Sequence, residues 1–244
     1  MSDKHFKLVT LGWLALLDET GQPAALLSKH PRKLVLLAVL ALARRPMTRD
    51  RLVEMFWGEQ DEGRARHSLS DALSEIRHVL GPDAVSARSD SVGLAADVPL
   101  DADAAAFQTA CATRDWARAI ALYGGAFLDG VFVKDAPSFE TWCAAERNRL
   151  EQLFLKACAA HVAALVAAEQ HEEAAAIAAR WLSAQPLAPE PALAMLSALR
   201  APGTPAAERA ALAAYDRLAA RLAREYDELP DPRLVAVAGE IRTV

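Results

Sequence analysis

The sequence predicts a mainly α-helical protein built in two parts, and three observations predict it. Hydrophobic residues make up 53% of the 244, but many are alanine and aromatics reach only 6%, a balance that suits helices better than sheets. Apolar residues recur at helical spacing through most of the chain after residue 31. The exceptions are the first thirty residues and the stretch 84–95, where short apolar runs alternate with turn chemistry.

In the first thirty residues, Phe6–Leu11, Trp13–Leu17 and Ala25–Leu27 are separated by Gly12 and by Asp18-Glu19-Thr20-Gly21-Gln22-Pro23. They read as two or three small antiparallel strands. Pro31 suits the first turn of a helix whose apolar positions Leu34, Leu37, Ala38, Ala41 and Leu42 run on to Arg44-Arg45, where Pro46 stops it. Thr48 then caps a second short helix with Leu52, Val53 and Phe56 inward and Trp57-Gly58 closing it.

RARHSLSDALSEIRHVLG, residues 64–81, makes the third helix, started by Asp61 or Gly63 and ended by Gly81-Pro82. At 100° per residue, Ala65, Leu69, Ala72, Leu73, Ile76, Val79 and Leu80 fall in one arc of about 120°. The opposite face centres on His67, Ser70, Asp71, Ser74 and His78, with Arg66 and Arg77 on its edge and Glu75 at the margin. Ala84–Ala87 and Val92–Ala95, joined by Arg88-Ser89-Asp90-Ser91, read as a hairpin. Small strands, three helices and a terminal hairpin in that order are the plan of a winged helix-turn-helix unit, here residues 1–100.

Asp97–Asp103, DVPLDAD, reads as a linker in which Asp101 and Asp103 are solvated turn residues. From 104 to 244 the chain reads as helices at about 104–112, 114–123, 138–168, 171–184, 190–200, 205–227 and 231–242. Ser138 and Thr204 stand where N-caps belong. Two helix pairs, Arg147–Ala184 and Pro191–Tyr226, have similar length, which predicts an all-α tetratricopeptide-like repeat domain.

The net charge of −5 hides a local excess: Ser28–Arg51 carries Lys29, Arg32, Lys33, Arg44, Arg45, Arg49 and Arg51 against Asp50, so the remainder holds −11. Cys111, Cys143 and Cys158 show no CxxC spacing and no nearby histidine cluster, which predicts reduced thiols in a cytoplasmic protein and no metal site. The apolar start ends at Asp18-Glu19 without a small-x-small cleavage site, and Leu34–Ala43 is too short to cross a bilayer, so neither a signal peptide nor a membrane span is expected. GxxxxGK[ST], GxGxxG after a strand, GxSxG and HExxH are all missing, which predicts that the chain is not an enzyme and needs no cofactor.

Double-stranded DNA is the partner these elements suit. The third helix of such a unit enters the major groove, where arginine donates bidentately to guanine, serine and histidine bond bases or phosphates, and aspartate accepts from cytosine. Arg66, His67, Ser70, Asp71, Ser74 and Arg77 are the expected readers. Arg88 at the wing tip is the expected backbone or minor-groove contact, and Arg32, Lys33, Thr48 and Arg49 at two helix starts are expected to hold phosphates.

The run RKLVLLAVLALARRPMTRDRLVEMFWGEQDEGRARHSLSDALSEIRHVLG resembles the DNA-binding domain of the Streptomyces antibiotic regulatory protein type, a branch of the response-regulator winged-helix regulators. GAFLDG at 125–130, FETWCAAER at 139–147, RWLSAQPLAPEPA and AYDRLAARLAREYDELPDPRL resemble the bacterial transcriptional activator domain that follows it in that family. The resemblance spans about residues 6–242 and implies a transcription regulator, expected here to be an activator. Its helical half would mediate homodimerisation or contacts to RNA polymerase or another transcription component. No phosphate-binding loop is present for the ATPase module found in many relatives, so no ATP dependence is expected. The alternative is an interaction scaffold whose winged-helix unit no longer binds DNA, an option that the net negative charge and Gln60–Glu62 keep open.

Overall fold

The computed structural model describes residues 5–24, 27, 29–43, 45–88 and 90–243. The chain forms two compact units, Met1–Leu153 and Phe154–Val244.

In the first unit, β1 (Phe6–Val9) pairs antiparallel with β2 (Ala15–Leu17), with Leu8 opposite Leu16. Of the expected third run, Ala25 and Leu26 lie outside the described residues. Helix α1 (Pro31–Leu42) starts at the predicted proline and ends at Leu42, where Ala43 turns extended as its C-cap, so Arg45 lies beyond it. Its Leu34, Val35, Leu36, Leu37, Val39 and Leu40 are all buried, because more than one face of the helix is covered. A short strand, β3 (Met47–Thr48), precedes α2 (Arg49–Trp57). Thr48 caps α2 as expected, its Oγ1 accepting from Arg51 N at 3.3 Å.

Helix α3 (Glu62–Leu80) follows, then the antiparallel hairpin β4 (Val85–Arg88) and β5 (Ser91–Leu94). The hairpin is wider than expected, since β3 adds to β5 through Met47 opposite Val92, giving the order β3-β5-β4. Two residues are too short a run to show alternation, so β3 had no signature of its own.

The segment expected as a linker is built into the first unit. Leu100–Ala102 forms β6, parallel to β1, with Phe6 opposite Leu100 and Leu8 opposite Ala102. Asp103 opens α4 (Asp103–Thr113) and is half-buried, not a solvated turn residue. Its carboxylate accepts from Thr10 N at 2.9 and 2.8 Å, from Thr10 Oγ1 at 2.5 Å, from Leu11 N at 2.9 Å and from Ala104 N at 2.7 Å. Thr10 is 1% exposed, so this carboxylate supplies partners to polar groups that water does not reach. Asp101 is an exposed partner of His5 at 2.8 Å.

Helix α5 (Trp116–Leu122) leads into the GAFLDG segment, where the motif's structural role becomes visible. Gly12 N donates to Ala126 O at 2.9 Å and Leu128 N to Thr10 O at 2.8 Å, with a bridge between Leu11 and Phe127. The two backbones approach so closely that a Cβ on Gly124 would lie 2.7 Å from Leu11 O. From α6 (Pro137–Ala167), Arg147 donates to Phe127 O at 2.7 Å and also to Leu128 O, holding Leu128 at φ 50°. The arginine of FETWCAAER thus clamps the leucine of GAFLDG. Ser138, expected as a cap, lies within the first turn of α6, because the helix starts one residue earlier. Phe139 stacks on Phe56 with centroids 5.3 Å apart, which ties the front of α6 to α2.

α6 is long and apolar enough to cross a membrane by length and composition alone. Its Leu150, Phe154, Leu155, Cys158, Val162 and Leu165 are buried in the protein, with Arg149, Glu151 and Lys156 between them.

The second unit packs the rest of α6 with α7 (His171–Ala184), α8 (Pro189–Arg200), α9 (Pro205–Tyr226) and α10 (Pro232–Arg242). Its core joins Leu165, Ala174, Ala178, Leu196, Ala211, Tyr215, Leu218 and Leu234. Alanines at the contacts let helices approach closely, which explains the composition. Thr204 caps α9 as expected, accepting from Ala207 N at 3.2 Å, and Asp231 caps α10 through Arg233 N at 2.8 Å.

Candidate nucleic-acid interface

The candidate interface is the outer face of α3. Its inner arc is buried at Ala65, Leu69, Ala72, Leu73, Ile76 and Leu80, with Val79 half-buried. That burial fixes the rotation of the helix and leaves Arg66, His67, Ser70, Asp71, Ser74 and His78 exposed. Arg64, not among the expected readers, is exposed as well. The signal was there: Arg64, His67, Asp71, Ser74 and His78 stand at i, i+3, i+7, i+10 and i+14, one strip along the helix.

The expected readers differ in their partners. Arg66 Nη2 lies 2.8 Å from Asp50 Oδ1 and its Nε 3.1 Å from Glu62 Oε1, a two-carboxylate clamp on a side chain that is 51% exposed. Such exposed pairs hold loosely and exchange readily for another anion. Ser70 Oγ donates to Arg66 O at 3.0 Å, which leaves its oxygen able to accept. Arg77 is half-buried and its Nη2 reaches Val85 O at 3.3 Å, so it joins α3 to the hairpin instead of projecting from the edge of the face.

The expected phosphate contacts divide in the same way. Lys33 Nζ is ion-paired with Glu75, both largely shielded, so it pins α1 to α3. His30 Nε2 stands 3.7 Å from the other oxygen of that carboxylate. Glu75, seen in the sequence as a marginal acid on a polar face, is thus an internal partner. Arg32 donates to Lys134 O. Thr48 is engaged as a cap, and Arg49 anchors the hairpin through its backbone, its N donating to Asp90 O at 2.8 Å. The backbone of Arg88 pairs with Ser91, while its side chain and Ser89 lie outside the described residues, as does Arg44. Among the described residues no cluster of three or more His, Cys, Asp or Glu could hold a metal.

Comparison with known proteins adds an independent finding. A family model described as bacterial transcriptional activator domain matches residues 95–242. Among solved structures, Mycobacterium tuberculosis EmbR in complex with low affinity phosphopeptide is similar over 98% of this chain, with a TM-score of 0.64 and 22% identity. At that identity the likeness concerns the fold. This chain spans 65% of that chain's length. No curated protein matches by sequence.

Proposed function

Because the chain belongs to the bacterial transcriptional activator domain family, we propose that it is a cytoplasmic, sequence-specific DNA-binding transcription activator that reads promoter repeats. One observation carries the reading: α3 buries an apolar arc and presents an uncovered strip of Arg, His, Ser and Asp, the groups that read base edges. The hairpin β4–β5 is fixed beside it by Arg77 and by Arg49 N, as a wing requires. In this proposal His67, Ser70, Asp71 and Ser74 face the major groove, and Arg66 exchanges Asp50 and Glu62 for a base or phosphate. Arg88 serves the wing, and Arg32, Thr48 and Arg49 lie nearest the backbone. Lys33 stays with Glu75 and acts only by holding α1 against α3. The helical half would mediate homodimerisation and contact RNA polymerase or another transcription component.

Selection of duplex DNA from a random pool by the full chain, repeated across salt concentrations, tests the proposal. A recovered repeat whose affinity falls linearly in log–log form with salt is the expected result. Arg66→Ala should weaken binding by about 1–3 kcal/mol and relax one base position if the guanidinium reads a base, or lower the salt slope by about 1 if it meets a phosphate. The clamp on Arg66 by two acids favours a second reading, an interaction scaffold without DNA binding. No enrichment at low salt would select that second reading.

A further inference from the structure

A second site lies in the first unit; it shares no lining residue with α3 or with the β4–β5 hairpin, and of the proposed backbone contacts only Thr48 borders it. It is a cavity of about 660 Å³, within the usual size of small-ligand sites. Five elements meet there: the end of α1 with Leu42, β3 with Met47 and Thr48, α2 with Arg51, α4 with Gln108, and α6 with Trp142 and Arg149; Arg45, between α1 and β3, completes it.

The lining is apolar at Leu42, Pro46, Met47 and Trp142, and the charge over it is unbalanced. Three guanidinium groups, Arg45, Arg51 and Arg149, face one carboxylate, Glu146. Glu146 is already held by Arg149, with Nη2 to Oε2 at 2.7 Å. Among the described residues Arg45 and Arg51 have no carboxylate within 4.0 Å. The Trp142 ring packs with two buried phenylalanines, its centroid 6.1 Å from Phe127 and 6.3 Å from Phe139, so this part of the wall is held in place. Gln108, 5% exposed, gives Nε2 to Leu42 O at 3.4 Å and sets an amide in the wall.

We propose that this cavity binds a small aromatic carboxylate, its ring against Trp142 and Met47 and its anionic end between Arg45 and Arg51. A planar fork is the geometry that guanidinium groups complement, and a flat ring is what a wall held in place covers at low entropic cost. A ligand seated there bridges Arg51 in the first turn of α2 to α6. The proposal does not depend on what α3 reads.

Calorimetric titration of the full chain with 2-naphthoate tests it, with 2-naphthylmethanol as the uncharged comparator. Saturable binding at one site is expected, with the alcohol weaker by about tenfold or more. The Arg45→Gln/Arg51→Gln double variant, altered only at exposed side chains, should lose about tenfold or more while keeping its thermal unfolding midpoint. Arg224→Gln, on α9 of the second unit, should bind as the parent does. Absence of saturation at about 1 mM, equal binding of the alcohol, or an unaffected double variant would overturn the assignment. Displacement of 2-naphthoate by non-specific duplex DNA would also overturn it, by assigning the two arginines to the phosphate backbone.

Discussion

Replacing Asp103 by Ala tests whether one carboxylate closes the first unit. In the folded chain it accepts from Thr10 N, Thr10 Oγ1, Leu11 N and Ala104 N at 2.5–2.9 Å, and it sits at the positive end of α4. Thr10 and Leu11 are 1% and 2% exposed, so water cannot replace the lost acceptor without the structure opening. Each buried donor left without a partner costs about 1–3 kcal/mol. Four such donors, Ala104 being 2% exposed as well, share one carboxylate whose own desolvation offsets part of the gain, so the expected net loss is about 3–4 kcal/mol. Asp103→Asn keeps one acceptor oxygen and should lose about half of that. Asp101→Ala, at a position whose side chain is 78% exposed, should stay within about 0.5 kcal/mol. Urea unfolding followed by tryptophan fluorescence is the assay, because Trp13, Trp57, Trp116 and Trp142 lie in the first unit and only Trp181 in the second. The midpoint for Asp103→Ala should fall by about 1–2 M. A loss below about 1 kcal/mol, or an equal loss for Asp101→Ala, would refute the assignment.

Three further outcomes follow from the packing. Gly124→Ala should destabilise the first unit by about 1–3 kcal/mol in the same unfolding assay, because the new methyl would meet Leu11 O at 2.7 Å, a backbone atom that a side-chain shift cannot relieve. Lys33→Met should cost about 1–2 kcal/mol and leave any DNA sequence preference unchanged, since it strips a shielded Glu75 of its cation without touching the outer face of α3. Burial pushes the Cys158 thiol up from 9.0 to about 11. The folded state therefore holds that proton more tightly than the unfolded one, so its stabilising contribution is whole below about pH 9 and is lost as pH rises towards about 11. Cys158→Ala should flatten the decline in that window, measured by urea midpoints at successive pH values.

What depends on near neighbours along the chain was legible in the amino-acid order. Helical periodicity fixed α1, α2 and α3 and the buried arc Ala65–Leu80, because side-chain direction repeats with the backbone's own period. Capping chemistry fixed Thr48 and Thr204, since an N-cap needs only a hydroxyl three residues before the amide it serves. What depends on distant partners emerged only once the elements were packed together. Asp103 meets Thr10 across 93 residues, Lys33 meets Glu75 across 42, and Arg147 meets Phe127 across 20. In β6, the run Leu100–Ala102 is too short and too broken by Asp101 to show alternation, and only β1 lying alongside makes it a strand. Charge on a helical wheel showed which residues of α3 point outward, but not that Arg66 has two carboxylates within reach or that Arg77 turns back to the wing. Periodicity is a property of one element. The partner that holds a guanidinium, and so its freedom to meet another anion, belongs to the packing of several.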